Sequence, residues 1–147
     1  MKHLIEIHDH NTNETGYYKI WFKNGKCHRD DGPAVEGYDG SQFWFINGNQ
    51  HRIDKPAYEN PNGDKAWYIN GMRHRLDGPA VEFANGTKHW YQDGRLHRIK
   101  GPASEYYDGS TEWYVNGSLH NTKGPAVINK ANGSKEWWVD GKRHRLN

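Results

Sequence analysis

Trp67-Tyr68-Ile69-Asn70-Gly71-Met72-Arg73-His74-Arg75-Leu76-Asp77-Gly78-Pro79-Ala80-Val81-Glu82-Phe83-Ala84-Asn85-Gly86 is the clearest copy of a pattern that runs through most of this 147-residue chain. The pattern reads Trp, a second aromatic, a variable residue, Asn or Asp, Gly, two variable residues, His, usually Arg, and two more variable residues. Gly-Pro-Ala follows, then a β-like run that closes on Asp/Asn-Gly. The leading residue recurs as Trp21, Trp44, Trp67, Trp90, Trp113 and Trp137, every 23 residues except for a last interval of 24. A fixed period of this length marks a repeat architecture, in which each unit buries its apolar face only by stacking on its neighbours.

Units therefore start at 21, 44, 67, 90, 113 and 137, the last covering half a copy, and residues 21–147 form the array. Residues 1–20 fit the pattern poorly and read as an N-terminal cap segment. Three departures stand out: Lys55 replaces the Gly before Pro56, Asn121 replaces the Arg after His120, and one residue is inserted between Pro125 and Trp137.

Two Asn/Asp-Gly signals per unit, flanked by aromatic and branched residues, predict two hairpins with type I′ turns. Pro33, Pro56, Pro79, Pro102 and Pro125 cannot donate to a ladder and belong in connections. No segment has a helical period. The expected fold is all-β, an elongated antiparallel meander of stacked 23-residue β-hairpin repeats with eleven or twelve short strands. Two-residue turns would place Tyr68 opposite Arg73, Trp67 opposite His74, and Val81 opposite Trp90. One face would then collect Trp, His and Val, and the other Tyr/Phe, Arg, Ala and Glu.

Composition fits an array better than a globule. Leu, Ile, Val and Phe supply only 22 of 147 residues, below the roughly 20% at which chains look disordered. Aromatics make up 14% of the chain, with seven Trp and nine Tyr, and the net charge is only +2. The apolar mass is thus held in a few large rings. Charges of both signs are interspersed, which leaves no nucleic-acid footprint. No run approaches the ~18 apolar residues of a membrane span, and Met1–Asp9 lacks a signal-peptide core. The expectation is a cytoplasmic protein without membrane insertion. One cysteine, Cys27, excludes an internal disulfide and a Cys-based zinc site.

The period, the Trp-aromatic-x-Asn/Asp-Gly opening, the His three residues after that Gly, and the closing Asp/Asn-Gly together resemble the MORN repeat. The copies with His-Arg-x-x-Gly-Pro-Ala are most similar to variants in bacterial, bacteriophage and giant-virus proteins. The resemblance covers about residues 21–145. It implies a twisted antiparallel sheet that acts as an adaptor, a membrane-linked scaffold or a dimerising module; the Gly-Pro-Ala departs from the simplest MORN pattern.

Chemistry-bearing residues recur with the period. His28, His51, His74, His97, His120 and His144 would sit roughly 10 Å apart along a sheet, too far to share one ion. The reading adopted is structural: each imidazole stacks on Trp and holds a backbone group in a turn. Arg29, Arg52, Arg75, Arg98 and Arg145 could form a basic stripe, but Glu36, Glu59, Glu82 and Glu105 should pair with them in an Arg-Glu ladder. Asn121 and Ile128 break both sides of that ladder in one unit. No nucleophile elbow, phosphate loop or dinucleotide fingerprint occurs. His8-Asp9-His10 is a weak chelation motif, and Cys27 occupies a variable slot.

No catalytic residue, metal or cofactor is expected. The leading reading is a non-enzymatic protein-interaction module, with a narrower form in which a viral protein binds and inhibits a host defence factor. Its candidate face comprises Tyr68, Arg73, Arg75, Tyr91, Arg98, Tyr114, Phe83 and Tyr106. A second reading is an anion binder for nucleic acid, nucleotide or lipid head groups on the Tyr/Arg face. A third is a hydrolase or nuclease built on the N-terminal His cluster. Edge strands, including Trp137-Trp138-Val139, would serve a homodimer.

Overall fold

Turn geometry decides how each repeat is laid out. The computed structural model describes the backbone of residues 2–9 and 14–144 and the side chains of residues 18–144. In it the first Asn/Asp-Gly of every copy has both residues left-handed: φ is 52° and 86° at Asn47 and Gly48, and 51° and 83° at Asn116 and Gly117. That is the type I′ turn. The expected register follows, with Phe45 opposite Gln50, Tyr91 opposite Leu96, and Tyr114 opposite Leu119.

The second turn corrects the other half of the expected register. Phe83 N–H donates to the Thr87 carbonyl and Gly86 N–H to the Phe83 carbonyl, both at 2.9 Å. Here only the Gly is left-handed, with φ 92° at Gly86. The loop therefore holds three residues, a type I turn closed by a glycine bulge. Asn85 Oδ1 accepts the Thr87 N–H, as Asp39 does from Ser41 and Asp108 from Ser110, which stabilises this turn over the mirror-image one. One extra loop residue shifts the pairing by one, so Val81 faces His89 rather than Trp90. A shift of one sends each side chain to the opposite face. The inserted residue of the fifth copy is absorbed in the same turn, where Asn129 N–H reaches the Ser134 carbonyl.

Trp marks a corner. Trp90 N–H donates to the Ala103 carbonyl at 2.8 Å, while the Trp90 carbonyl accepts the His97 N–H at 3.0 Å. The chain before Trp belongs to one sheet and the chain after it to a small hairpin. The eleven or twelve strands anticipated therefore appear as 23 shorter ones among the described residues, and no helix occurs there.

The chain forms two compact units, Met1–Met72 and Arg73–Asn147. In the first, the sheet order is Lys2–Asp9, Glu14–Lys23, Val35–Glu36, Gln42–Phe43, Tyr58–Glu59, Lys65–Ala66. Residues 1–20, expected as a cap, contribute its edge strand Lys2–Asp9 and much of the next. In the second, the order is Val81–Glu82, Lys88–His89, Ser104–Glu105, Thr111–Glu112, Val127–Ile128, Lys135–Glu136. Beside each sheet lies a row of hairpins tied copy to copy by backbone bonds: Gly48 N–H to the Cys27 carbonyl in the first unit, Gly117 N–H to the Leu96 carbonyl in the second, both 2.8 Å.

The seam between sheet and hairpins is filled by alanine. Ala34, Ala57, Ala80, Ala103 and Ala126, the last residues of Gly-Pro-Ala or its variant, are completely buried, whereas all six leading Trp are half-buried. A methyl group is what fits where two backbones converge, and the larger rings cover it from outside.

Candidate functional site

The repeated His and Arg are fixed by structural duties. His28 Nδ1 accepts the Asn47 N–H at 3.0 Å, and the same bond joins His51 to Asn70, His74 to Asp93, His97 to Asn116 and His120 to Asp140. In each pair the histidine of one copy holds the strained turn residue of the next, as expected. The group over the indole is different from expectation: guanidinium, not imidazole. Arg29, Arg52 and Arg98 lie 4.1, 3.8 and 3.8 Å from the ring centres of Trp21, Trp44 and Trp90. Each of these guanidinium groups also donates to the carbonyl of its own copy's Pro, Arg98 to Pro102 at 3.0 Å. Each meets the Glu of the anticipated ladder, with Arg75–Glu82 at 2.9 Å and Arg98–Glu105 at 2.6 Å. The glycine of Gly-Pro-Ala packs closely on this group, since a Cβ on Gly101 would stand 2.8 Å from the Arg98 guanidinium carbon; in the second copy, where Lys55 takes the glycine's place, Arg52 still covers Trp44 at 3.8 Å.

The proposed interaction face is divided by the corrected register. Arg75 and Arg98 belong to the Trp/Glu side. Phe83, Tyr91, Tyr106 and Tyr114 gather on the other side of the second unit, around His89, Ser104 and Glu112. Register places His89 beside Ser104 and Ser104 beside Glu112 on adjacent strands. His89 Nδ1 and Ser104 Oγ are 2.9 Å apart. Tyr106 and Tyr114 both donate to Glu112 Oε2, at 3.1 and 3.2 Å. Arg73 lies over the Tyr91 ring at 5.3 Å, and His89 meets Phe83 and Tyr106 edge to face. Tyr68 lies in the first unit, half-buried.

Burial sets the electrostatics of this cluster. It depresses the His89 pKa, so the imidazole favours its neutral form. It also raises Tyr106 and pushes Tyr114 up to about 12, with the Glu112 charge adding to both. Ser104, 1% exposed, cannot meet a substrate, so the Ser-His contact is an internal polar bond and not a nucleophile with its base. Sequence reasoning passed over His89 and Glu112. Their signal is the residue before each Trp: Ile20, Phe43 and Ala66 in the first unit, then His89, Glu112 and Glu136 in the second.

No family model matches this chain, and no curated protein is significantly similar to it. The site must be read from its own chemistry.

Two clefts at equivalent places differ in that chemistry. In the first unit, Trp44 lies in a cleft with Asp30, Asp31 and Arg29, and Arg52 covers its ring. In the second, the cleft at Trp113 is lined by Arg98, Ile99, Lys100, Val115, His120, Asn121, Thr122 and Lys123, with no carboxylate. Asn121 stands where Arg would be; its Nδ2 donates to the Pro125 carbonyl at 2.9 Å, and it brings no guanidinium to the Trp113 ring. Beside these clefts the residue after the His-Arg pair is a bare aliphatic: Ile53, Leu76 and Ile99 are 68%, 75% and 67% exposed.

Among the described residues no three His, Cys, Asp or Glu side chains converge as a metal cage. The side chains of His8 and His10 lie outside the described residues. Cys27 is half-buried and its thiol pKa is raised by burial, which keeps it protonated. No helix among the described residues is long and apolar enough to cross a membrane.

Proposed function

We infer that the protein is a non-enzymatic interaction module whose partner is another protein. The observation that carries this reading is the exposure of Ile53, Leu76 and Ile99 at the same slot of three consecutive repeats. Isolated exposed aliphatics are ordinary, but one recurring at the same slot of successive copies, as Leu76 and Ile99 do within the second unit, is a repeated apolar contact. The invariant slots support the same view: His holds turns, Arg covers Trp, Gly packs on Arg and Ala fills the seam. Recognition is left to the variable positions. The MORN-like resemblance favours an adaptor, and within it the narrower role of a viral protein that captures a host defence factor.

The test is capture of a stoichiometric protein from lysate at physiological salt, compared with the Ile53→Asp/Leu76→Asp variant. Both substitutions are on exposed loops, so the fold should be retained and capture lost. Failure to recover any stoichiometric protein, or equal recovery by the variant, removes the basis for this reading.

A further inference from the structure

We propose that the cleft at Trp113 binds a free nucleotide, with the base stacked on the half-buried indole that lines the cleft and the phosphate held by Lys100 and Lys123. This goes beyond the protein-docking role and does not depend on it. The repeats supply the comparison that makes the site visible. Where Arg is present, three groups complete its surroundings: the indole beneath it, the Pro carbonyl and the Glu carboxylate, as for Arg98 with Trp90, Pro102 and Glu105. In the copy that begins at Trp113 the cation is missing, and so are the features that would welcome one from outside. Asn121 occupies the Pro125 carbonyl, and Ile128 stands in the Glu slot, opposite Thr111 and Lys135.

What remains is a flat apolar surface in positive surroundings. Lys100 and Lys123 make no ion pair among the described residues, and Arg98 forms the adjoining wall with its charge shared by Glu105. His120, whose Nδ1 lies 2.8 Å from the Asp140 carboxylate, completes the wall. A cationic ligand would meet Arg98, Lys100 and Lys123 with no carboxylate in the cleft lining to offset them. A neutral aromatic would use the indole and waste the charges. A planar base carrying a phosphate uses both, because aromatic stacking tolerates any base and lysine serves as a point charge for phosphate. The space beside Gly124 is open as well: a Cβ there would meet only Asn121 Nδ2, at 3.7 Å.

The indole N–H signals in a ¹⁵N-correlated NMR spectrum of the whole chain report on the Trp residues separately, and Trp113→Phe identifies the relevant one. Titration with AMP and GMP at low salt is expected to shift the Trp113 signal with a dissociation constant on the order of 1 mM or tighter. Inorganic phosphate should move the Lys100 and Lys123 amides while leaving the Trp113 indole nearly still. The Asn121→Arg/Ile128→Glu variant restores what the other copies carry, so it should fold, cover Trp113 and weaken binding about tenfold or more. Lys100→Ala/Lys123→Ala should weaken it to a similar degree. The proposal is overturned if the nucleotides leave Trp113 unmoved, if phosphate alone reproduces their shifts, or if the restored-Arg variant binds as well as the parent. Binding of a single-stranded oligonucleotide but not of AMP or GMP would also overturn it.

Discussion

His28 and Asn47, 19 residues apart, are joined by a bond from the Asn47 backbone N–H to His28 Nδ1 at 3.0 Å. The other ring nitrogen lies 2.8 Å from Asp30 Oδ1, so Nε2 carries the proton and Nδ1 is free to accept. Asn47 has φ 52°, a conformation that few side chains tolerate. One imidazole thus completes its own copy and fixes the turn of the next.

Removing that acceptor should cost stability at every copy, and most where the ring is buried. His28 is 7% exposed, while His97 is only half-buried. His28→Ala is expected to destabilise by about 2 kcal/mol and His97→Ala by about 1 kcal/mol. Urea unfolding midpoints rank the two; equal losses would show that the bond to the turn is not what the histidine contributes.

Two glycines at the same slot should respond differently to alanine. A Cβ at Gly101 meets the Arg98 guanidinium at 2.8 Å, whereas at Gly124 it meets nothing closer than 3.7 Å. Neither glycine has a positive φ. Gly101→Ala makes the guanidinium shift slightly while it stays over Trp90, as Arg52 stays over Trp44 beside Lys55, so the gain from the stiffer unfolded chain should be cancelled and stability change by less than about 0.5 kcal/mol. Gly124→Ala should stabilise by about 0.5 kcal/mol through the unfolded chain. The pair of thermal midpoints tests the difference, and a midpoint for Gly124→Ala no higher than that for Gly101→Ala would overturn it.

Alkaline titration should single out Tyr114. Its pKa of about 12 lies above the ordinary tyrosine value near 10, so the folded state favours the neutral phenol. The resulting stability is complete below pH ~10 and is lost as pH rises through about 12. Absorbance of phenolate should show a late-ionising component that disappears in Tyr114→Phe.

Acidification acts through His89 with the opposite sense. Burial lowers its pKa, so the unfolded chain takes up a proton first as pH falls below ~6.5. The stability from this group is present above that pH and is lost as pH falls towards and through the folded pKa. His89→Phe should flatten that part of the stability profile, while unchanged curvature would assign the acid sensitivity to another group.

Much of the arrangement was legible because the repeats report on one another. The 23-residue spacing of Trp, the Asn-Gly turns and the concerted change of Asn121 and Ile128 each follow from local or pairwise chemistry that recurs along the chain. The second turn was misread because Asp/Asn-Gly alone does not distinguish a two-residue from a three-residue loop. In the folded chain the difference is that the Asx side chain accepts the N–H of the residue after the Gly, as at Ser41, Thr87 and Ser110, whereas Ser118 after a type I′ Gly shows that a small residue there does not by itself mark the turn. His89 and Glu112 went unnoticed because they occupy a slot that is apolar in the first unit's copies, at Ile20, Phe43 and Ala66, and only the shifted register brings them beside Ser104 and the tyrosines.

The amino-acid sequence by itself determined the repeat, the β class and the type I′ turns, since backbone preferences of Asn, Gly and Pro act within a few residues. Tertiary structure alone decided which groups share a face. A single extra loop residue reverses the parity of a strand, and so it brought His89 beside Ser104 and drew the tyrosines around Glu112; packing within each copy set guanidinium rather than imidazole over the indole, and at Trp113 the shorter Asn121 supplies none.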